Sequence, residues 1–83
     1  MAGDNRIAVV GIAVGNREEA AKKVNDILSS FGSIIVGRMG IPCRERELSV
    51  ISIIVDGTND EIGALTGRLG NISGIKVKVA MML

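Results

Sequence analysis

The sequence predicts an α+β fold in the order β-α-β-β-α-β, and three observations carry that prediction. First, the β-branched runs Ile7–Val14, Ile34–Val36 and Val50–Val55, together with the alternating stretch Ile75–Val79, have the composition and length of strands. Second, two segments opened by Asn16 and by Thr58, each with Glu three residues later, carry apolar residues at helical spacing. Third, the second and third runs are joined by a connection longer than a two-residue turn, which holds the only Pro and the only Cys. Two right-handed crossovers then place both helices on one face of an antiparallel sheet and the first and third strands at its centre. This is the ferredoxin-like sandwich.

Each element has its own signal. Ile7–Val14 does not alternate apolar with polar residues, so both of its faces are expected to be buried. Gly15 breaks it. Asn16 and Glu19 have capping-box spacing, and Ala20, Val24, Ile27, Leu28 and Phe31 form one stripe that Gly32 ends. The second strand runs from about Ile34 to Met39 and the third from about Arg46 to Val55, ended by Asp56-Gly57. Thr58 and Glu61 repeat the capping box, with Ile62, Leu65 and Leu69 pointing inward. Gly63 and Gly67 lie inside this helix, where each costs roughly 1 kcal/mol against Ala, so close packing against that flank is expected. Gly70–Gly74 turns the chain into the fourth strand, exposed on one face near its start.

At 83 residues the chain is one domain, residues 1–83, with residues 1–5 expected to be disordered. The single Cys excludes an internal disulfide, and the absence of His removes the commonest metal ligand and general base. No metal site, cofactor or catalytic constellation is expected. A net charge of +1, one aromatic residue and no basic stripe argue against nucleic-acid binding. No apolar run reaches the ~20 residues that span a bilayer, and the start of the chain lacks signal-peptide character; a cytoplasmic location is expected.

Only one sheet face receives helices, yet the first and third strands are apolar on both faces. The surplus amounts to some five or six aliphatic side chains, on the order of 10 kcal/mol if buried, comparable with the ~4–15 kcal/mol that association costs. A homo-oligomer, dimer or tetramer, is expected, with Val10, Ile12, Ile51, Ile53 and Val55 assigned to the interface.

Candidate binding residues cluster in two places. Gly15, Asn16 and Arg17 open the first helix, whose free amides suit an anionic or amino-acid effector; the plain alternative is an ordinary N-cap. Arg38, Met39, Arg44 and Arg46 bracket the hairpin turn, where Arg offers bidentate geometry to carboxylates; the alternative is local pairing with Glu45 and Glu47. Arg38 lies among Gly37, Met39 and Gly40, where backbone can be approached closely. Cys43 with Met39 makes a soft metal site only if shared between chains.

Several words of the sequence resemble a known family. Val9-Val10-Gly11-Ile12, Asn16-Arg17-Glu18-Glu19, Ile35-Val36-Gly37-Arg38-Met39-Gly40-Ile41-Pro42 and Val50–Gly57, followed by Thr58–Gly67, are similar to the small bacterial iron-only hydrogenase system regulators. That resemblance implies an ACT-like fold, similar to the C-terminal domain of nickel-responsive repressors, and a regulatory role in the iron-only hydrogenase maturation system. ACT domains bind small effectors, often amino acids, beside the first strand–helix loop, where an Asp-Arg-Pro-Gly pattern is common. Asn16-Arg17-Glu18-Glu19 keeps the Arg and a related cap but lacks the Pro-Gly pair. The His and Cys nickel ligands of the repressors have no counterpart. The reading is a non-enzymatic effector-binding module; the alternative is an assembly protein that docks onto a partner through its sheet face or hairpin.

Overall fold

Two apolar strands pair along their full length at the centre of the molecule. The structure, a computed structural model, describes residues 4–83. In it β1 (Arg6–Gly15) runs antiparallel to β3 (Leu48–Gly57), from Arg6 opposite Gly57 to Gly15 opposite Leu48. β2 (Ile35–Cys43) flanks β3 and β4 (Ile75–Met81) flanks β1, giving the antiparallel order β2-β3-β1-β4. The helices α1 (Glu18–Ser30) and α2 (Asn59–Gly70) make the crossovers. The architecture is the α+β ferredoxin-like sandwich. The expectation for residues 1–5 falls, for its first three residues, outside the described residues. No described helix is long and apolar enough to cross a membrane.

The pleat sorts the apolar surplus. Ala8, Val10, Ile12 and Val14 of β1 and Ile53 and Val55 of β3 face the helices, where they meet Val24 and Leu28 of α1 and Leu65 and Leu69 of α2 in one buried core. The interface assignment is thereby corrected. Val10, Ile12, Ile53 and Val55 are at most 1% exposed, and Ile51 is half-buried against the same core. The open face carries the alternate set instead: Val9 and Ala13 of β1, Leu48, Val50 and Ile54 of β3, and Met39 and Ile41 of β2. Met39, Ile41, Val50 and Ile54 are exposed there.

The two helices start differently. At α2 the Thr58 hydroxyl accepts from the Glu61 amide at 3.1 Å, and the Glu61 carboxylate accepts from the Thr58 amide at 2.8 Å, completing the expected capping box. At α1 the box does not form. The N-cap is Arg17, one residue later than the spacing predicts, so Glu19 stands one position too early to reach back. The Asn16 amide instead donates to the Glu47 carbonyl at 3.0 Å, tying the β1–α1 loop to the start of β3.

Three further expectations shift. β2 extends to Cys43 and β3 begins at Leu48, because a single 3-10 turn at Arg44–Arg46 and a left-handed Glu47 (φ 55°) make the connection. Pro42 is tolerated because β2 is an edge strand. Among the described residues Gly63 and Gly67 pack against no other element: outside the helix's own backbone, a Cβ at either would meet no atom within 4 Å.

Thr58→Ala should cost about 1 kcal/mol, by loss of the cap, whereas Leu65→Ala, which empties a fully buried position, should cost about 2–5 kcal/mol. Urea unfolding of both variants at one fixed protein concentration checks the ranking.

Candidate functional site

A cleft of about 390 Å³ opens where the start of α1 overhangs the outer half of the sheet. Val14 and Gly15 end β1 at its rim. Asn16 and Arg17 form the loop above, and Glu18, Ala21, Val24 and Asn25 line it from α1. Arg38, Gly40 and Pro42 of β2, with Ser49 and Ile51 of β3, make its floor. The volume lies in the range of small-molecule sites, ~300–1,000 Å³.

The cleft exists because the helix-facing positions of β2 and β3 are small at this end. Gly40 has no side chain, and a Cβ built there would rest 3.5 Å from Ile51 Cγ1, in ordinary contact, so a larger residue would grow into the cleft. Ser49, opposite Pro42, is equally slight.

Arg38 reaches this cleft through an irregularity in β2. Ile35 pairs with Val55 and Gly37 with Ile54, so Val36 is an extra residue, a bulge. In an unbroken ladder Arg38 would oppose Ser52 and face away from the helices. The bulge reverses the parity: Arg38 opposes Ile53 and points to the helix side, where its Nη2 donates to Asn25 Oδ1 at 2.8 Å. Met39 and Ile41 are turned onto the open face by the same step.

Of the sequence-predicted residues, Gly15, Asn16, Arg17 and Arg38 are brought together at the cleft. Met39 is adjacent in sequence but lies on the opposite face of the sheet, as does its pairing partner Ser52. Arg44 and Arg46 lie at the hairpin tip, in a separate shallow hollow with Pro42, Cys43 and Glu45. The predicted cluster thus divides. The amides also differ from expectation: those of Asn16 and Arg17 are already bonded, to the Glu47 and Gly15 carbonyls. The amides that α1 leaves open are those of its first turn, beginning at Glu18. Two guanidinium groups against the Glu18 carboxylate leave the rim formally positive. Among the described residues no group of three or more His, Cys, Asp or Glu side chains converges.

Sequence reasoning passed over Ser49 and Asn25, and it used Gly40 only for the close approach of backbone beside Arg38. The available signal was smallness at alternate positions of two adjacent strands, but it becomes readable only once the bulge is placed.

A family model described as "Iron-only hydrogenase system regulator, putative", the TM1266-like family, matches residues 6–79. Among solved structures the chain is similar to the uncharacterized protein TM1266 from Thermotoga maritima, at 39% identity and a TM-score of 0.93, covering 95% of this chain and 99% of that one. It is also similar to the ACT domain of GTP pyrophosphokinase from Chlorobium tepidum, at 14% identity and a TM-score of 0.73, covering 94% and 99%. The regulatory subunit of aspartate kinase from Thermus flavus matches at 18% identity and a TM-score of 0.56, covering 94% of this chain and 57% of that one. These last two likenesses show the fold, which is ACT-like. No curated protein matches the chain. The chain belongs to the TM1266-like family, the family described as a regulator of the iron-only hydrogenase system.

Proposed function

We propose that the protein is a non-enzymatic, effector-binding regulatory module of the iron-only hydrogenase system, and that the cleft under α1 takes a small carboxylate-bearing molecule such as an amino acid. The observation that carries this reading is the placement of Arg38 and Arg17 in one cleft beside the apolar Ile51 and the small residues Gly40 and Ser49. Arg38 is held by a single hydrogen bond to Asn25, which leaves most of its five donors free for a carboxylate. Ala21 and Ile51, both half-buried, offer an apolar wall to the rest of the ligand.

The same reading makes the protein a homo-oligomer, because Met39, Ile41, Val50 and Ile54 form an exposed apolar face on the sheet. That face equally suits the second reading, an assembly protein that docks onto a partner; the two differ in whether the cleft binds anything.

Titration calorimetry against the amino acids and small organic anions separates them. Heat is expected with at least one carboxylate ligand. Arg38→Ala should weaken that binding about tenfold or more, as loss of a charge-assisted hydrogen bond does, and Arg38→Lys should not restore it. Gly40→Val should abolish binding with little change in unfolding midpoint. No heat with any ligand would overturn the effector reading and leave the docking one. Independently, Ile54→Asp should lower the sedimenting mass, and wild type that sediments as a folded monomer at micromolar concentration would overturn the oligomer.

A further inference from the structure

The two edges of the sheet are guarded differently. β2 is interrupted by the Val36 bulge and by Pro42, which has no N–H, and both features discourage pairing. β4 has neither. Among the described residues nothing pairs with its outer side. The Met82 amide donates to the Ile7 carbonyl at 2.8 Å, so the even-numbered residues of this strand bond β1. By the antiparallel alternation, Val77, Val79 and Met81 turn their N–H and C=O groups outward.

What lies beside that edge is apolar and bare. Val79 and Met81 are each 43% exposed although they stand on the helix side of the sheet. Arg68 of α2 lies over the Phe31 ring at the end of α1, 5.6 Å from its centroid. At about 100° per residue, Gly63 and Gly70 therefore occupy the opposite flank of α2, turned toward the β4 side. A Cβ at either would meet nothing within 4 Å.

We propose that this edge pairs with the β4 edge of a second copy, antiparallel about a two-fold axis through Val79, joining two sheets into one. The occupant is a second copy because the strand is complementary to itself in one register. With the axis at Val79, Val77 lies opposite Met81 and Ile75 opposite Leu83, apolar against apolar beside the bare flank of α2. On the other side of the sheet Lys78 faces Ala80 and Lys76 faces Met82. An axis at Val77 would set Lys76 against Lys78, and an axis at Lys78 would set that lysine against itself; like charges directly opposed are destabilising. An axis at Ala80 would pair only Val79–Met81 of β4 with its copy, whereas the axis at Val79 pairs Val77–Met81. The two lysines, which ordinarily protect an edge, here reject the slipped registers. The inference rests on the edge alone and is independent of the cleft and of the open sheet face. Joined with a face-to-face contact, it closes a tetramer with perpendicular two-fold axes.

Disulfide trapping tests it on the full chain. In a Cys43→Ser background, Val79→Cys places two thiols opposite each other at the axis, about 5.5 Å apart between Cα atoms and within disulfide reach. Val77→Cys and Val36→Cys are the register and edge controls. Cross-linking at 79 that is roughly tenfold faster than at 77 and at 36 supports the proposal, and any lesser preference, including no cross-link, overturns it. As a second measurement, Val79→Arg should lower the sedimenting mass with the circular dichroism unchanged; an unchanged mass contradicts the edge contact.

Discussion

The antiparallel pairing of β1 with β3 is the constraint on which the rest of the molecule depends. Both strands are apolar throughout, so composition alone does not say which side of each faces the helices. The pairing does, because residues directly opposite share a face: Val10 goes with Ile53, Ile12 with Ile51, and Ala8 with Val55. Once α1 and α2 cover that set, Val50 and Ile54 on the other face are left exposed among the described residues. The open apolar face is thus a consequence of two doubly apolar strands in a two-layer fold, and it is the ground on which association is proposed.

The second constraint is one extra residue. Val36 shifts the parity of everything after it in β2, which carries Arg38 to the helix side and Met39 and Ile41 to the open face. Bulges recur beside binding sites because they re-aim a side chain without disturbing neighbouring strands. Here the re-aimed side chain is the best-placed cation of the cleft. Arg38 then meets Asn25, while Gly40, two residues on, keeps the floor low. Position and space arise from the same local irregularity.

Much of this was legible in the residues. The element order, the α1 stripe and the Thr58–Glu61 cap follow from spacing, since each rests on contacts three or four residues apart. The loop Gly15–Arg17 and Arg38 were also singled out, and they do converge. What failed was parity. The residues alone assign the interface to Val10, Ile12, Ile51, Ile53 and Val55, because two equally apolar faces carry no internal sign of which is covered. Met39 was grouped with Arg38 by adjacency, although adjacent strand residues point to opposite faces. The Asn16 cap was displaced by one residue because a tertiary bond, from its amide to the Glu47 carbonyl, outweighed a local pattern. Bulges and loop anchors are long-range facts, and nothing in the spacing of nearby residues encodes them.

The central claim is that the cleft under α1, and not the hairpin tip or the open sheet, is where a small ligand meets this protein. Methyl-resolved NMR with a mixture of amino acids and small carboxylates tests it most directly. The account predicts that shifts concentrate on Val14, Val24 and Ile51, which line the cleft, while Val9, Val50 and Ile54 on the open face stay unmoved. Shifts that concentrate on the open-face methyls, or an unchanged spectrum, would contradict it.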